Sequence, residues 1–187
     1  TGVQTCALPI YPEFTHEVCR RWEELALEAA DYGCRVCILR IGLVLGREGG
    51  ALAKMLPAYR LGAGGPIGDG QQQISWILLD DLVAIIAFLL EQTNCQGIYH
   101  GTAPHAVSQQ EFARLLAQTL GKPHGLRTPG WLLRLLLGEM ADLLLYGQNV
   151  VPQRLLDAGF HFRHPDLAPA LRHLFKESES RISVAEI

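Results

Sequence analysis

The stretch Arg35–Gly46, RVCILRIGLVLG, restricts what this chain can fold into more than any other. Val36, Ile38 and Leu39 lead through Arg40 to Gly42 and Gly46, a short apolar run punctuated by glycines. Such a run reads as a buried strand followed by a loop whose backbone must approach something closely. A helical period precedes it. Thr15 is placed as an N-cap, Val18, Trp22, Leu25, Ala26 and Ala29 recur at three- and four-residue spacing, and Gly33 is placed as the C-cap.

The same alternation continues. A helix is expected over Ala51–Leu61, kinked or ended early by Pro57. The loop GAGGPIGDG after it has the glycine spacing of a phosphate loop in Gly62, Gly64 and Gly68. A phosphate loop needs a strand before it and a helix after it. Here a helix precedes and the strand-like QQISWIL comes next, so a substrate-side or hairpin loop is expected. A strand over Ile74–Leu79 leads to a helix over Leu82–Glu91 capped by Asp80, and Gly97–His100 reads as a third strand. Ser108 and Glu111 form a capping box for a helix whose inner face is Phe112, Leu115, Leu116 and Leu120. Beyond Gly121 the pattern is helical throughout: Trp131–Gly138, Met140–Tyr146, Pro152–Ala158 and Leu167–Phe175.

Strands alternating with helices predict an α/β fold with a parallel sheet over residues 11–120. A small, mostly helical C-terminal lobe is expected over 121–175, and a loose polar tail over 176–187. The opening TGVQTCALPI carries no period that connects to the next segment. It resembles a translated sequencing-adapter remnant, so residues 1–10 are expected to be a non-native leader.

Composition narrows the functional classes. A net charge of −3 with scattered charges gives no basic face for nucleic acid. No apolar run reaches the ~20 residues that span a bilayer. Five scattered cysteines suit reduced thiols in a cytoplasmic location. Cys34 and Cys37 have CxxC spacing, but at the start of a strand they are expected to face opposite ways, which argues against a shared metal or disulfide.

Taken in order, the motifs LRxGxVLG, GG…KMLP, GGPIGxG, WIxxDD, GIYHGTAP, SxxEF and GFxFRxPDLxxAL resemble the extended short-chain dehydrogenase/reductase superfamily, in its sugar-nucleotide epimerase-like branch. The resemblance runs from about Phe14 to about Leu174. It implies the C-terminal part of a Rossmann-like parallel sheet, with NADP or NAD bound by the N-terminal half and substrate by the C-terminal half. The first strand and its glycine-rich phosphate loop are not in this sequence. The chain is therefore expected to be the substrate-side portion of a longer protein, inactive alone, with a sheet edge and an apolar face uncovered.

In that superfamily a Tyr-x-x-x-Lys pair on the long helix transfers the proton. Aligned through Glu23, the helix presents Thr15 and Cys19 at those positions; a one-residue slide presents Phe14 and Val18. Neither register supplies a phenol or an ammonium. Thr15 and Cys19 are weak candidates for the catalytic positions, the thiol having an ordinary pKa of ~8.5. His16 is a possible proton carrier or a solvent-facing helix residue. The resemblance also implies that Arg40, Gly42, Leu43 and Val44 form the nicotinamide-side wall. For Arg40 two partners stay open, a cofactor phosphate or a neighbouring element. Lys54, Met55 and Trp76 are the substrate-pocket candidates, a nucleotide-sugar or other carbonyl compound being the implied small-molecule substrate. No metal site is expected, His161 and His164 lacking a companion at ligand spacing. Three functions are open on this reading: an epimerase or oxidoreductase portion, a non-catalytic NADP(H)-binding sensor or assembly protein, and a partner- or membrane-surface-binding module built on residues 131–146.

Overall fold

The stretch RVCILRIGLVLG is divided at Gly42 into two strands with different partners. In the computed structural model, which describes residues 14–128 and 147–185, β1 is Cys37–Ile41 and β2 is Leu43–Leu45. Four further strands are β3 (Gln73–Ile74), β4 (Trp76–Leu78), β5 (Gly97–Gly101) and β6 (Val107–Ser108). β1 pairs parallel with β5, Ile38 opposite Ile98 and Arg40 opposite His100. β2 pairs parallel with β4, Leu43 opposite Trp76 and Leu45 opposite Leu78. The change of partner is carried by two bonds: the Gly42 N–H donates to the Gly101 carbonyl at 3.1 Å, and the Leu43 N–H to the Ser75 carbonyl at 2.8 Å.

The helices are α1 (Phe14–Glu28), α2 (Gly50–Arg60), α3 (Leu79–Glu91), α4 (Gln109–Thr119), α5 (Gln153–Asp157) and α6 (Leu167–Ala185). β4 shows why they fall into two sets. Its three residues are buried and alternate across the sheet. Trp76 and Leu78 enter one core with residues of α2, α4 and α6, including Leu52, Leu56, Phe112, Leu116 and Leu171. Ile77 enters a second core with residues of α3 and α5, including Leu82, Ile85, Leu89 and Leu155, and with Phe160. The pairs β1–β5 and β2–β4 give the parallel α/β arrangement read from the sequence, while β3 and β6 pair antiparallel, Ile74 opposite Val107.

Several boundaries differ from the sequence reading. Thr15 is no N-cap, because α1 already includes Phe14. A 3-10 turn, Ala29–Tyr32, lies between α1 and Gly33, whose φ of 76° makes it the left-handed cap of that turn. Pro57 does not end α2, which continues to Arg60; Leu52, Leu56 and Tyr59 are buried while Pro57 sits on the exposed side. The strand expected over Ile74–Leu79 is broken at Ser75. The Ser75 hydroxyl donates to the Gln148 carbonyl at 2.6 Å and accepts from the Val150 N–H at 2.9 Å. α3 starts at Leu79, with Leu78 at its N-cap and no side-chain cap bond, so Asp80 caps nothing. α6 runs past Phe175 to Ala185. The capping box is present, the Ser108 hydroxyl accepting from the Glu111 N–H at 3.2 Å. The two helices expected over 131–146, like residues 1–10, lie outside the described residues.

Arg35, the first residue of the organising stretch, supplies a contact the sequence did not disclose. Its guanidinium donates to the carbonyls of Leu89, Leu90 and Cys95, tying the start of β1 to the C-terminal end of α3. A cation there satisfies carbonyls the helix leaves open and faces the negative end of its dipole.

Candidate functional site

Two regions bear on function, one on the outer face of β1 and one beyond the ends of β2 and β4.

On β1, alternation gives Ile38 and Arg40 a common face, and α1 lies across it. The Arg40 Nε and Nη2 donate to the two carboxylate oxygens of Glu23 at 2.7 and 2.6 Å, a fork-on-carboxylate pair with both side chains largely buried. Of the two partners open to Arg40 in the sequence, this one is a neighbouring element. Cys19, one turn before Glu23, is exposed and lines the same shallow cavity of about 490 Å³, together with Trp22, Ala26, Ile38 and Ile41. Thr15 lies a further turn toward the start of α1. Trp22 is 69% exposed and β1 is half-buried rather than enclosed, so the surface around the Arg40–Glu23 pair is largely apolar and partly open, with the half-exposed Ile41 at the strand's end.

The electrostatics of this face are set by one cation. The bonds from Arg40 hold the Glu23 carboxyl below the usual carboxylate range, against the opposing effect of burial. His100, opposite Arg40 in the register, is held below the usual imidazole range by burial first and by the Arg40 charge second. Arg40→Ala should lower folding stability by about 2 kcal/mol at neutral pH, the scale of hydrogen bonds to a charged group. Glu23 has a lowered folded pKa, so its contribution is complete above the free glutamate value of ~4.3 and is lost as pH falls through the folded value. Urea unfolding at pH 7 and at successively lower pH checks this, the gap between wild type and variant narrowing as the pH falls.

Of the two glycines assigned to close approach, Gly42 is occupied by the protein itself, while a Cβ on Gly46 would meet only Leu79 Cδ2 at 3.8 Å. A Cβ on Gly42 would lie 2.5 Å from the Ser75 carbonyl oxygen and 2.9 Å from Thr102 Cγ2. In the loop GAGGPIGDG a Cβ on Gly64 would strike the Tyr59 ring, and one on Gly65 the Leu126 carbonyl. The loop instead accepts the later chain: the Gly125 N–H donates to Gly64, Thr128 to Pro66, and Gly68 to Thr128. Gly64 and Gly65 serve close packing, while Gly62, Gly68 and Gly70 take left-handed backbone at turns.

Beyond the C-terminal ends of β2 and β4, where open parallel sheets bind ligands, lies an open groove of about 800 Å³. Val44, residues Gly46 to Gly50, Arg60 of α2, Asp80 of α3 and His173 of α6 are among those that line it. Leu43 packs against the first core and Val44 against the second, so only Val44 of that pair reaches the groove. The three substrate-pocket candidates do not converge there. Trp76 is fully buried, its indole N–H donating to the His105 carbonyl at 3.0 Å. Met55 packs against the first core, and Lys54 is exposed outside the groove lining. Arg47, Arg60 and His173 do line the groove; His173 was missed because α6 joins the site from over 100 residues beyond Arg60.

A parallel sheet with helix layers on two sides and a groove at its strand ends defines a Rossmann-like α/β protein. The chain belongs to the NAD dependent epimerase/dehydratase family, whose model matches residues 3–100, and residues 128–174 match a domain of unknown function (DUF1731). An epimerase family protein of Arabidopsis thaliana, the chloroplastic SDR39U1 homolog, is 43% identical over 94% of this chain and 50% of its own length. The mouse (Mus musculus) epimerase family protein SDR39U1 is 40% identical over 86% of this chain and 55% of its own. The crystal structure of human epimerase family protein SDR39U1 with NADPH superposes with a TM-score of 0.79 at 35% identity, covering 87% of this chain and 55% of that one. The chain thus spans about half the length of the curated relatives it matches. Among the described residues, no helix is long and apolar enough to cross a membrane.

Proposed function

We propose that this chain is the substrate-side portion of an NADP(H)-binding protein of the epimerase family, with the segment from Arg40 through Gly42 and Leu43 to Val44 as its nicotinamide-side wall, reached through Arg40 on the outer face of β1 and Val44 at the groove. The observation that carries this is the likeness to the human protein solved with NADPH. The chain's own residues fit one side of such a cofactor. The apolar surface of Ile38, Ile41 and Trp22 suits the flat face of a nicotinamide ring, and Arg40 keeps that surface rigid through Glu23. When bound, the cofactor supplies hydride chemistry. The free, partly exposed thiols support a reducing, cytoplasmic location.

A second reading is favoured by α1, where the positions that the superfamily pattern gives to tyrosine and lysine fall on Thr15 and Cys19, or on Phe14 and Val18 one residue over, and neither pair offers a phenol and an ammonium. In it the protein holds NADP(H) as a sensor or assembly factor without turnover. NADPH titration of the full-length protein, followed at 340 nm with carbonyl and nucleotide-sugar substrates, separates the two. Retention with turnover supports the enzyme, and retention without turnover on any substrate supports the sensor. Failure to retain NADPH overturns both.

A further inference from the structure

We propose that Asp80, His164 and His173 form a binding site for one divalent first-row transition ion of borderline softness, Zn²⁺ being the representative. The three side chains come from the first turn of α3, the irregular stretch before α6, and the second turn of α6, and their ligand atoms all lie within 4.8 Å of one another. The His173 Nε2 is 3.5 Å from the Asp80 carboxylate, and the His164 and His173 rings stack with centroids 4.4 Å apart.

The donor set is selective. Two neutral imidazoles and a carboxylate suit zinc, cobalt or nickel better than calcium or magnesium, which prefer oxygen shells. Zinc bonds of ~2.0–2.2 Å in tetrahedral geometry place ligand atoms about 3.3–3.5 Å apart, so the triad must contract by an ångström or so. The stacked rings must also tilt apart for both lone pairs to reach one ion. That adjustment is within rotamer reach. His164 and His173 are only half-buried, and the Asp80 side chain is 54% exposed.

The backbones that carry the ligands are, by contrast, fixed. The neighbouring Asp81 is buried and accepts from the N–H groups of Arg163 and His164 at 3.0 and 2.9 Å, clamping the histidine-bearing stretch onto the start of α3. α6 is anchored by Leu167, Ala170 and Leu171 in the first core. The positive end of the α3 dipole opposes a cation here, and the two carboxylates of Asp80 and Asp81 offset it. Asp80 and His173 line the 800 Å³ groove. An ion held by three protein ligands would therefore direct its remaining positions toward that space.

The spacing of 80, 164 and 173 matches no linear metal motif, which is why the sequence alone offers no companion for His164. The test uses the full chain stripped with chelator, with its reactive cysteines, Cys19 and Cys34 among them, alkylated so that thiols do not compete. Zn²⁺ competition against a chromophoric chelator should give one equivalent bound, and Co²⁺ should show visible d–d absorption without thiolate charge-transfer bands. Asp80→Asn and His173→Gln should each weaken zinc by at least about 10-fold, no less than the loss of an outer-shell partner causes. His161→Ala, which changes an exposed histidine outside the cluster, should leave it unchanged. Asp80 is exposed and its substitution leaves the fold intact. Zinc affinity unchanged in Asp80→Asn, or no zinc bound to the alkylated chain, overturns the proposal.

Discussion

Asp81→Ala should cost about 3–4 kcal/mol of folding stability, while Asp80→Asn next to it should change stability by less than about 0.5 kcal/mol. The two aspartates stand together in WILLDDL and look equivalent in the sequence. Asp80 points outward, its carboxylate reaching toward the His173 imidazole. Asp81 is 1% exposed, and its two oxygens each accept a backbone N–H, from Arg163 and His164. Alanine at 81 leaves both donors without their acceptor and empties the space between the start of α3 and the stretch before α6. Each lost bond to a charged acceptor contributes roughly 1.5–3 kcal/mol, reduced here by relief of the carboxylate's own desolvation. Asp81→Asn keeps one acceptor oxygen and turns the other position into a donor facing a donor, so it should lose about half as much. Urea unfolding gives the ranking, and limited proteolysis gives its location. The alanine variant should gain a cleavage site between residues 159 and 166 well below its unfolding midpoint. A loss under about 1 kcal/mol would mean that the clamp is dispensable.

The same aspartates show what the sequence made legible. The order of helices and strands was readable because each buried strand announces itself by local apolar runs, and the Ser108–Glu111 box by fixed spacing. The family was readable because seven short motifs kept their order. What was not readable depends on contacts between distant segments. Asp80 was expected to cap α3 because an aspartate before an apolar helix usually does, yet the helix starts one residue earlier and its neighbour spends its oxygens on residues 82 and 83 positions downstream. Trp76 and Gly42 were assigned to a ligand because an aromatic and a glycine near strand ends often face one. Both are consumed by the protein's own packing, Trp76 in the core and Gly42 against Ser75 and Thr102. A pattern of residue types cannot say whether a close approach is to a ligand or to another strand.

Gly42→Val should leave the chain largely unfolded, and the comparison with Gly46→Ala makes that outcome informative. At Gly42 the obstacle to a side chain is the Ser75 carbonyl, 2.5 Å from where a Cβ would stand, and that carbonyl is itself held by the Leu43 N–H at 2.8 Å. Neither can retreat without breaking the point where the chain passes from β5 to β4. Overpacking alone costs about 1–3 kcal/mol, and loss of the two transition bonds adds about 1 kcal/mol each. Against a total stability of ~5–15 kcal/mol, that sum removes most of the margin of a chain already exposing an apolar strand face. At Gly46, four residues on, the nearest atom to a Cβ is Leu79 Cδ2 at 3.8 Å, so alanine fits without displacement. Gly46→Ala should keep native stability or gain up to about 1 kcal/mol from a less flexible unfolded chain. Gly46 also lines the groove at the strand ends, which Gly42 does not. Thermal unfolding and NADPH binding measured on both variants therefore separate two uses of glycine in one motif. If Gly42 serves packing, Gly42→Ala loses stability and cofactor affinity together. If it serves the cofactor, Gly42→Ala unfolds at the wild-type temperature and binds NADPH poorly, and the packing argument fails. A Gly46→Ala protein that is stable and yet binds NADPH at least tenfold more weakly would locate the close ligand approach on the groove side of β2, beyond the strand crossing rather than at it.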